Sequence, residues 1–251
     1  MQALLLISSL VVIAVGSCVA TRLLALAQRT GRQPEQLIGT SLASFAMVAY
    51  PLLLLFAFAG ASLDPVTTRI LRAASATAYC ATLGCLVAFV WSVFRSRSRW
   101  AGRAAWSLLA LAASGAIAVV VRFDPGTGAA TTDRLGSSLL TLAFTLAFAW
   151  ASGESLRQWL RLRRRERLDL ADPTESWRFL ILGLGNGAGA AIALALVSFA
   201  ARGLGIGEHP APGLLQCASG LALSATWLLT FAPPRRYRVW LGGAAARDAS
   251  A

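Results

Sequence analysis

Arg157-Gln158-Trp159-Leu160-Arg161-Leu162-Arg163-Arg164-Arg165-Glu166-Arg167 follows directly on an apolar run that ends near Ser152. A stretch this dense in guanidinium groups does not enter hydrocarbon: each would cost about 3 kcal/mol on insertion scales and about 10 kcal/mol or more on an isolated helix. The positive-inside rule assigns it to the cytoplasmic side. Apolar runs on either side must alternate from that point. The result is an all-α membrane protein of one domain, with seven transmembrane helices, the N-terminus outside and the C-terminus cytoplasmic. The helices are expected at about 3–28, 36–60, 66–94, 104–121, 135–167, 173–201 and 213–232.

Composition supports a bilayer as the solvent. The 251 residues are 57% hydrophobic and only 14% charged, with a mean hydropathy of +0.64, well above the apolar share of soluble domains. The net charge of +12 comes from arginine alone, because the sequence contains no lysine. These arginines fall in the gaps between apolar runs with no recognition motif beside them, which argues against nucleic acid as a partner. Without lysine there is no amine for a retinal Schiff base, and no cofactor is expected. Cys18, Cys80, Cys85 and Cys217 lie within apolar runs, where buried packing is the default and a disulfide framework or metal site is not indicated.

Outward from the anchor, the punctuation is consistent. The first apolar run contains Val15-Gly16-Ser17-Cys18, loosely like a lipoprotein cleavage site. Its start carries no positive charge, however, and Arg22, Arg29 and Arg32 follow it, so it reads as a helix entering the cytoplasm rather than a signal peptide. Pro34-Glu35 opens the second helix, and Pro51 is expected to kink it. Asp64-Pro65 is a cap and first-turn pair. Asp172-Pro173-Thr174-Glu175 has the form of a capping box. Of the 23 arginines, only Arg69, Arg72, Arg122, Arg134 and Arg202 fall at outer helix ends. The eight tryptophans lie toward the cytoplasmic ends, where an indole finds both apolar and headgroup neighbours.

Helices 1–3 and 5–7 share features that allow a 3+1+3 parallel repeat. Pro34-Glu35 matches Pro173-Thr174-Glu175. Phe94 followed by Arg99-Trp100 matches Phe231 followed by Arg238-Val239-Trp240. Membrane orientation alone would also produce such matches. The layout resembles the broad transporter, opsin and G-protein-coupled-receptor grouping. Ala171-Asp172-Pro173 before Arg178-Phe179-Leu180, with Pro233-Pro234-Arg235-Arg236-Tyr237-Arg238 at the exit, is similar to uncharacterised bacterial seven-helix membrane proteins. That resemblance implies a fold and no activity.

Candidate chemistry is sparse. Gly183-Leu184-Gly185-Asn186-Gly187-Ala188-Gly189 has a dinucleotide-loop spacing, but its flanks are helical, so it reads as a packing surface through Gly185 and Gly189, with Gly183 and Gly187 as a second face. Asn186 should point into the bundle. Glu154 is shallow enough that an interfacial ion pair with Arg157 ranks ahead of a proton site. Tyr50, Tyr79, Asn186, Gln216 and Ser219, with Cys80, are the candidate ligand-binding residues. Arg161, Arg163, Arg164, Arg165 and Arg167 are the candidate surface for anionic lipid or a cytoplasmic signalling partner. Glu208 and His209 have no nucleophile beside them, no catalytic motif occurs, and an enzyme is not indicated. The leading expectation is a sensory or receptor-like protein of the bacterial inner membrane that binds a small apolar ligand. A small secondary transporter and a structural subunit binding anionic lipid are the alternatives.

Overall fold

The computed structural model describes residues 2–59, 63–121, 134–166, 168, 170, 172–202 and 210–233. Among these residues every regular element is helical and none is a strand: α1 (Gln2–Thr30), α2 (Gln33–Ala43), a π-helical turn (Ser44–Ala49), α3 (Tyr50–Ala59), α4 (Pro65–Phe94), α5 (Arg99–Val121), α6 (Arg134–Glu166), α7 (Pro173–Ala201) and α8 (Pro210–Phe231). Six of them, α1 and α4 through α8, are long and apolar enough to cross a membrane. The chain therefore has the make-up of a multi-pass helical membrane protein. The segments α2, π turn and α3 run on without a break, although none of the three is long enough by itself to span.

Helix ends follow local chemistry. Asp64 Oδ2 accepts from the Thr67 N–H at 2.9 Å, with Pro65 in the first turn of α4. Asp172 Oδ1 accepts from the Thr174 N–H at 2.8 Å at the start of α7. Gly31 closes α1 at φ 67, where a side chain would be strained. Just before Pro51, where a kink is expected, the helix carries the π turn. Proline offers no N–H to the carbonyl of Met47, and Tyr50 N–H bonds Phe45 O, five residues back. The fourth expected helix is longer than its apolar run. α5 begins at Arg99, so it has 23 residues and α8, with 22, is shorter. Arginine is a good helix former, and an apolar run marks where hydrocarbon ends rather than where the helix does.

Neighbours in space form a ring: α1 against α2, α2 against α4, α4 against α6, α6 against α7, α7 against α8, and α8 back against α1. The substantial contacts of α5 are with α4 and α6, which also touch each other, so α5 stands outside the ring. The pattern maps onto itself when α1, α2 and α4 are exchanged for α6, α7 and α8. Local packing repeats with it. A Cβ at Gly39 of α2 would come 2.9 Å from Leu24 Cγ of α1, and one at Gly183 of α7 would come 2.8 Å from Leu156 Cγ of α6. Pairing Gly39 with Gly183 sets the two helices five residues, about 1.4 turns, away from the register suggested by Pro34 and Pro173.

Small residues bring the helices together, since lipid supplies no hydrophobic drive between them. A side chain at Gly185 would overlap Thr226 of α8, whereas Gly187 faces Ser152 of α6, so α7 is small on two faces. Gly189 is looser, with Leu223 Cδ2 3.5 Å from a Cβ placed there. Thus Gly185 carries the approach to α8.

A candidate ligand cavity

Between α2, α4, α6, α7 and α8 lies a cavity with walls of Ile38, Ser41, Leu42, Phe45, Thr82, Leu86, Phe89, Phe94, Phe144, Phe148, Ala151, Ser155, Leu182, Asn186, Leu223, Trp227 and Phe231. About 100 Å³ of it is open to the centre of a water-sized sphere, against the roughly 10–15 Å³ that one water needs. Six phenylalanines and one tryptophan make it apolar and aromatic. The faces that build it are regular: Phe144, Phe148, Ala151 and Ser155 recur along α6, and Leu223, Trp227 and Phe231 along α8, at helical spacing.

Four polar side chains interrupt this wall. Ser41 Oγ donates to Thr82 O at 2.9 Å, and Thr82 Oγ1 donates to Ala78 O at 2.8 Å. These two are satisfied within the bundle. Ser155 Oγ is buried with no hydrogen-bond partner among the described residues. Asn186 is 5% exposed, and no described residue bonds its carboxamide. Buried polar groups are almost always partnered, so these two leave hydrogen-bonding capacity unfilled in a mostly apolar wall.

Aromatic rings close the end away from the arginines. Phe45, carried by the π turn, has ring centroids 5.3 Å from Tyr50, 6.2 Å from Tyr79 and 6.0 Å from Trp227. Tyr79 in turn meets Phe144 at 5.7 Å. Beyond them Gln216 Nε2 donates to Tyr50 Oη at 3.5 Å. At the arginine-bearing end a second hollow of about 260 Å³ adjoins the cavity, sharing Ile38, Phe89 and Phe231 as common wall.

Of the residues singled out from sequence, Asn186 lines the cavity. Tyr50, Tyr79 and Gln216 come together, but as the packed layer above it. Ser219 and Cys80 are half-buried and lie off the wall. The cavity lies on the arginine side of Tyr50, Tyr79 and Gln216, and Phe45 packs against both tyrosines. Trp227 is 7% exposed within the bundle, so it serves the cavity and not the interface. Compared with protein-family models, with characterised proteins and with solved structures, the chain matches none. The exit segment that carried a resemblance, Pro234 to Arg238, lies outside the described residues, as do Arg122, Arg167, Glu208, His209 and Trp240.

Glu154 sits one residue from Ser155 and is 4% exposed. Its Oε1 accepts from Arg157 Nη1 at 3.0 Å and from Arg95 Nε at 2.9 Å. Arg157 was legible as an i,i+3 neighbour; Arg95, from the turn between α4 and α5, was not. Arg161, Arg163, Arg164 and Arg165 are exposed on the last turns of α6, with Arg163 3.1 Å from Glu166.

Proposed function

We propose that the chain is a seven-span carrier of small, mostly apolar molecules, with the π-turn helix Gln33–Ala59 as its seventh crossing. The observation that carries this reading is the cavity's position between two three-helix sets with matching neighbour patterns. Parallel-repeat transporters place their substrate at such an interface. The aromatic layer at Phe45 closes one end while the other adjoins a second hollow, as expected of a state open to one side. With the arginine-bearing end in the cytoplasm of an inner membrane, that state faces inward. Asn186 and Ser155 supply the polar contacts that orient a ligand in an apolar site.

The test is flux. Proteoliposomes containing the protein are presented with a panel of small aromatic and aliphatic solutes, and uptake beyond that of protein-free vesicles is followed against Asn186→Leu. Saturable transport lost in the variant, with its fold intact, supports a carrier; no saturable flux for any member of the panel overturns it.

A sensory role is favoured by a different observation, the adjacency of Ser155 on the cavity wall to the Glu154–Arg95 ion pair below it. In that reading ligand binding shifts α6, and Arg161 to Arg165 present the change to a cytoplasmic protein or to anionic lipid. Replacing those arginines with glutamine would then abolish partner or lipid binding while leaving ligand affinity unchanged.

A further inference from the structure

The second hollow at the arginine-bearing end is chemically unlike the aromatic cavity it adjoins. Its wall contains a carboxylate, Glu35 of α2; a guanidinium, Arg178 of α7; and a hydroxyl, Thr230 of α8. The Glu35 carboxylate reaches Arg32 only at 3.9 Å through Oε1, and its Oε2 is buried with no hydrogen-bond partner among the described residues. Thr230 is 6% exposed, and its Oγ1 is likewise buried and unpartnered. No described residue pairs with Arg178. Arg178 is exposed and needs no partner for its own sake, but the two buried oxygens are costly unless something bound there satisfies them.

Resting on the carrier reading above, we propose that this hollow receives the head of a zwitterionic α-amino acid with a large apolar side chain. The ammonium bonds Glu35 Oε2 and Thr230 Oγ1, and the carboxylate pairs with Arg178, each as a charge-assisted contact. The shared wall of Ile38, Phe89 and Phe231 then directs the side chain toward the aromatic cavity. A ligand with only one of the two charges would leave Glu35 with its long contact to Arg32 alone, or Arg178 without a counter-ion among the described residues.

The experiment uses the full-length protein in nanodiscs and measures equilibrium binding of radiolabelled phenylalanine, with unlabelled phenethylamine, 3-phenylpropionate and toluene as competitors. Phenylalanine should bind, and each single-charge analogue should compete about tenfold or more less well. Glu35→Gln and Arg178→Gln should each weaken phenylalanine by a similar factor while leaving the direct binding of labelled toluene unchanged. Toluene binding without phenylalanine binding overturns the head-group site and leaves the aromatic cavity standing. Binding of neither overturns both readings. Equal competition by phenethylamine and phenylalanine removes the role of Arg178 and overturns the zwitterion assignment.

Discussion

Arg95 Nε lies 2.9 Å from Glu154 Oε1 across the gap between α4 and α6. The same oxygen takes Arg157 at 3.0 Å, and the Arg95 guanidinium stands 5.6 Å over the Trp100 ring. One buried carboxylate thus gathers two cations and fastens the turn leading into α5. Arg95 is 27% exposed in its side chain and Arg157 60%, so the two are not equivalent. Losing Arg95 leaves a buried acid with one solvated partner, at a cost of about 2 kcal/mol; losing Arg157 costs about 0.5 kcal/mol or less. Thermal unfolding in nanodiscs should rank Arg95→Gln well below Arg157→Gln, and the reverse order would contradict the geometry.

Gly185 and Gly189 separate two kinds of small-residue position. Alanine at 185 meets Thr226, and the strain should cost about 1–3 kcal/mol, whereas alanine at 189 meets only Leu223 at ordinary contact distance and should be near neutral. Thr226→Ala ought to rescue Gly185→Ala in part, because Cβ of residue 226 stays 2.8 Å from the new methyl, and Thr226→Gly more fully, each giving a coupling energy in a double-mutant cycle. Additive effects would mean that α7 and α8 do not approach there.

Much of this architecture is visible in the residues themselves. Asp64-Pro65 and Asp172-Pro173 announce helix starts because capping is a local event, and the arginine runs separate the spans because charge and hydrocarbon do not mix. The cavity was hidden for the opposite reason. A phenylalanine in a membrane helix faces lipid or bundle at similar cost, so Phe45, Phe89 and Phe94 carry no outward sign of lining a space. Phe144, Phe148, Ala151 and Ser155 did offer one, an aromatic face ending in a hydroxyl. The π turn leaves no pattern beyond Pro51, and the partnership of Arg95 with Glu154 depends on two helices whose adjacency only packing decides.

Asn186 carries an opposing pair of effects. Replacing it with leucine removes a buried amide that no described residue satisfies, so the empty protein should gain about 1 kcal/mol of stability. The same change should abolish recognition of ligands that need a hydrogen bond. A higher melting temperature with lost flux is the expected combination, and a lower one would place the amide in a structural bond.

At the N-terminus of α4, the Thr67 hydroxyl, and after it the Thr67 N–H, hold the Asp64 carboxyl below its ordinary value of 3.8. A depressed carboxylate stabilises the fold above the unfolded value, and the contribution fades as pH falls through the folded one. Asp64→Ala should therefore melt lower than the parent at pH 7. The gap should narrow below pH 3.8 and close once the parent's own carboxyl is protonated. A pH-independent gap would remove the charge from the account.

Because α5 leans on α4 and α6 from outside the ring, the polypeptide has a natural seam. Severing it between Val121 and Arg134 would yield two fragments, each with a complete set of three ring helices, joined through the α4–α6, α5–α6 and α1–α8 contacts. Such a two-gene version offers a direct route to mixing halves, and a cell could in principle regulate the machine by controlling how much of either half it makes.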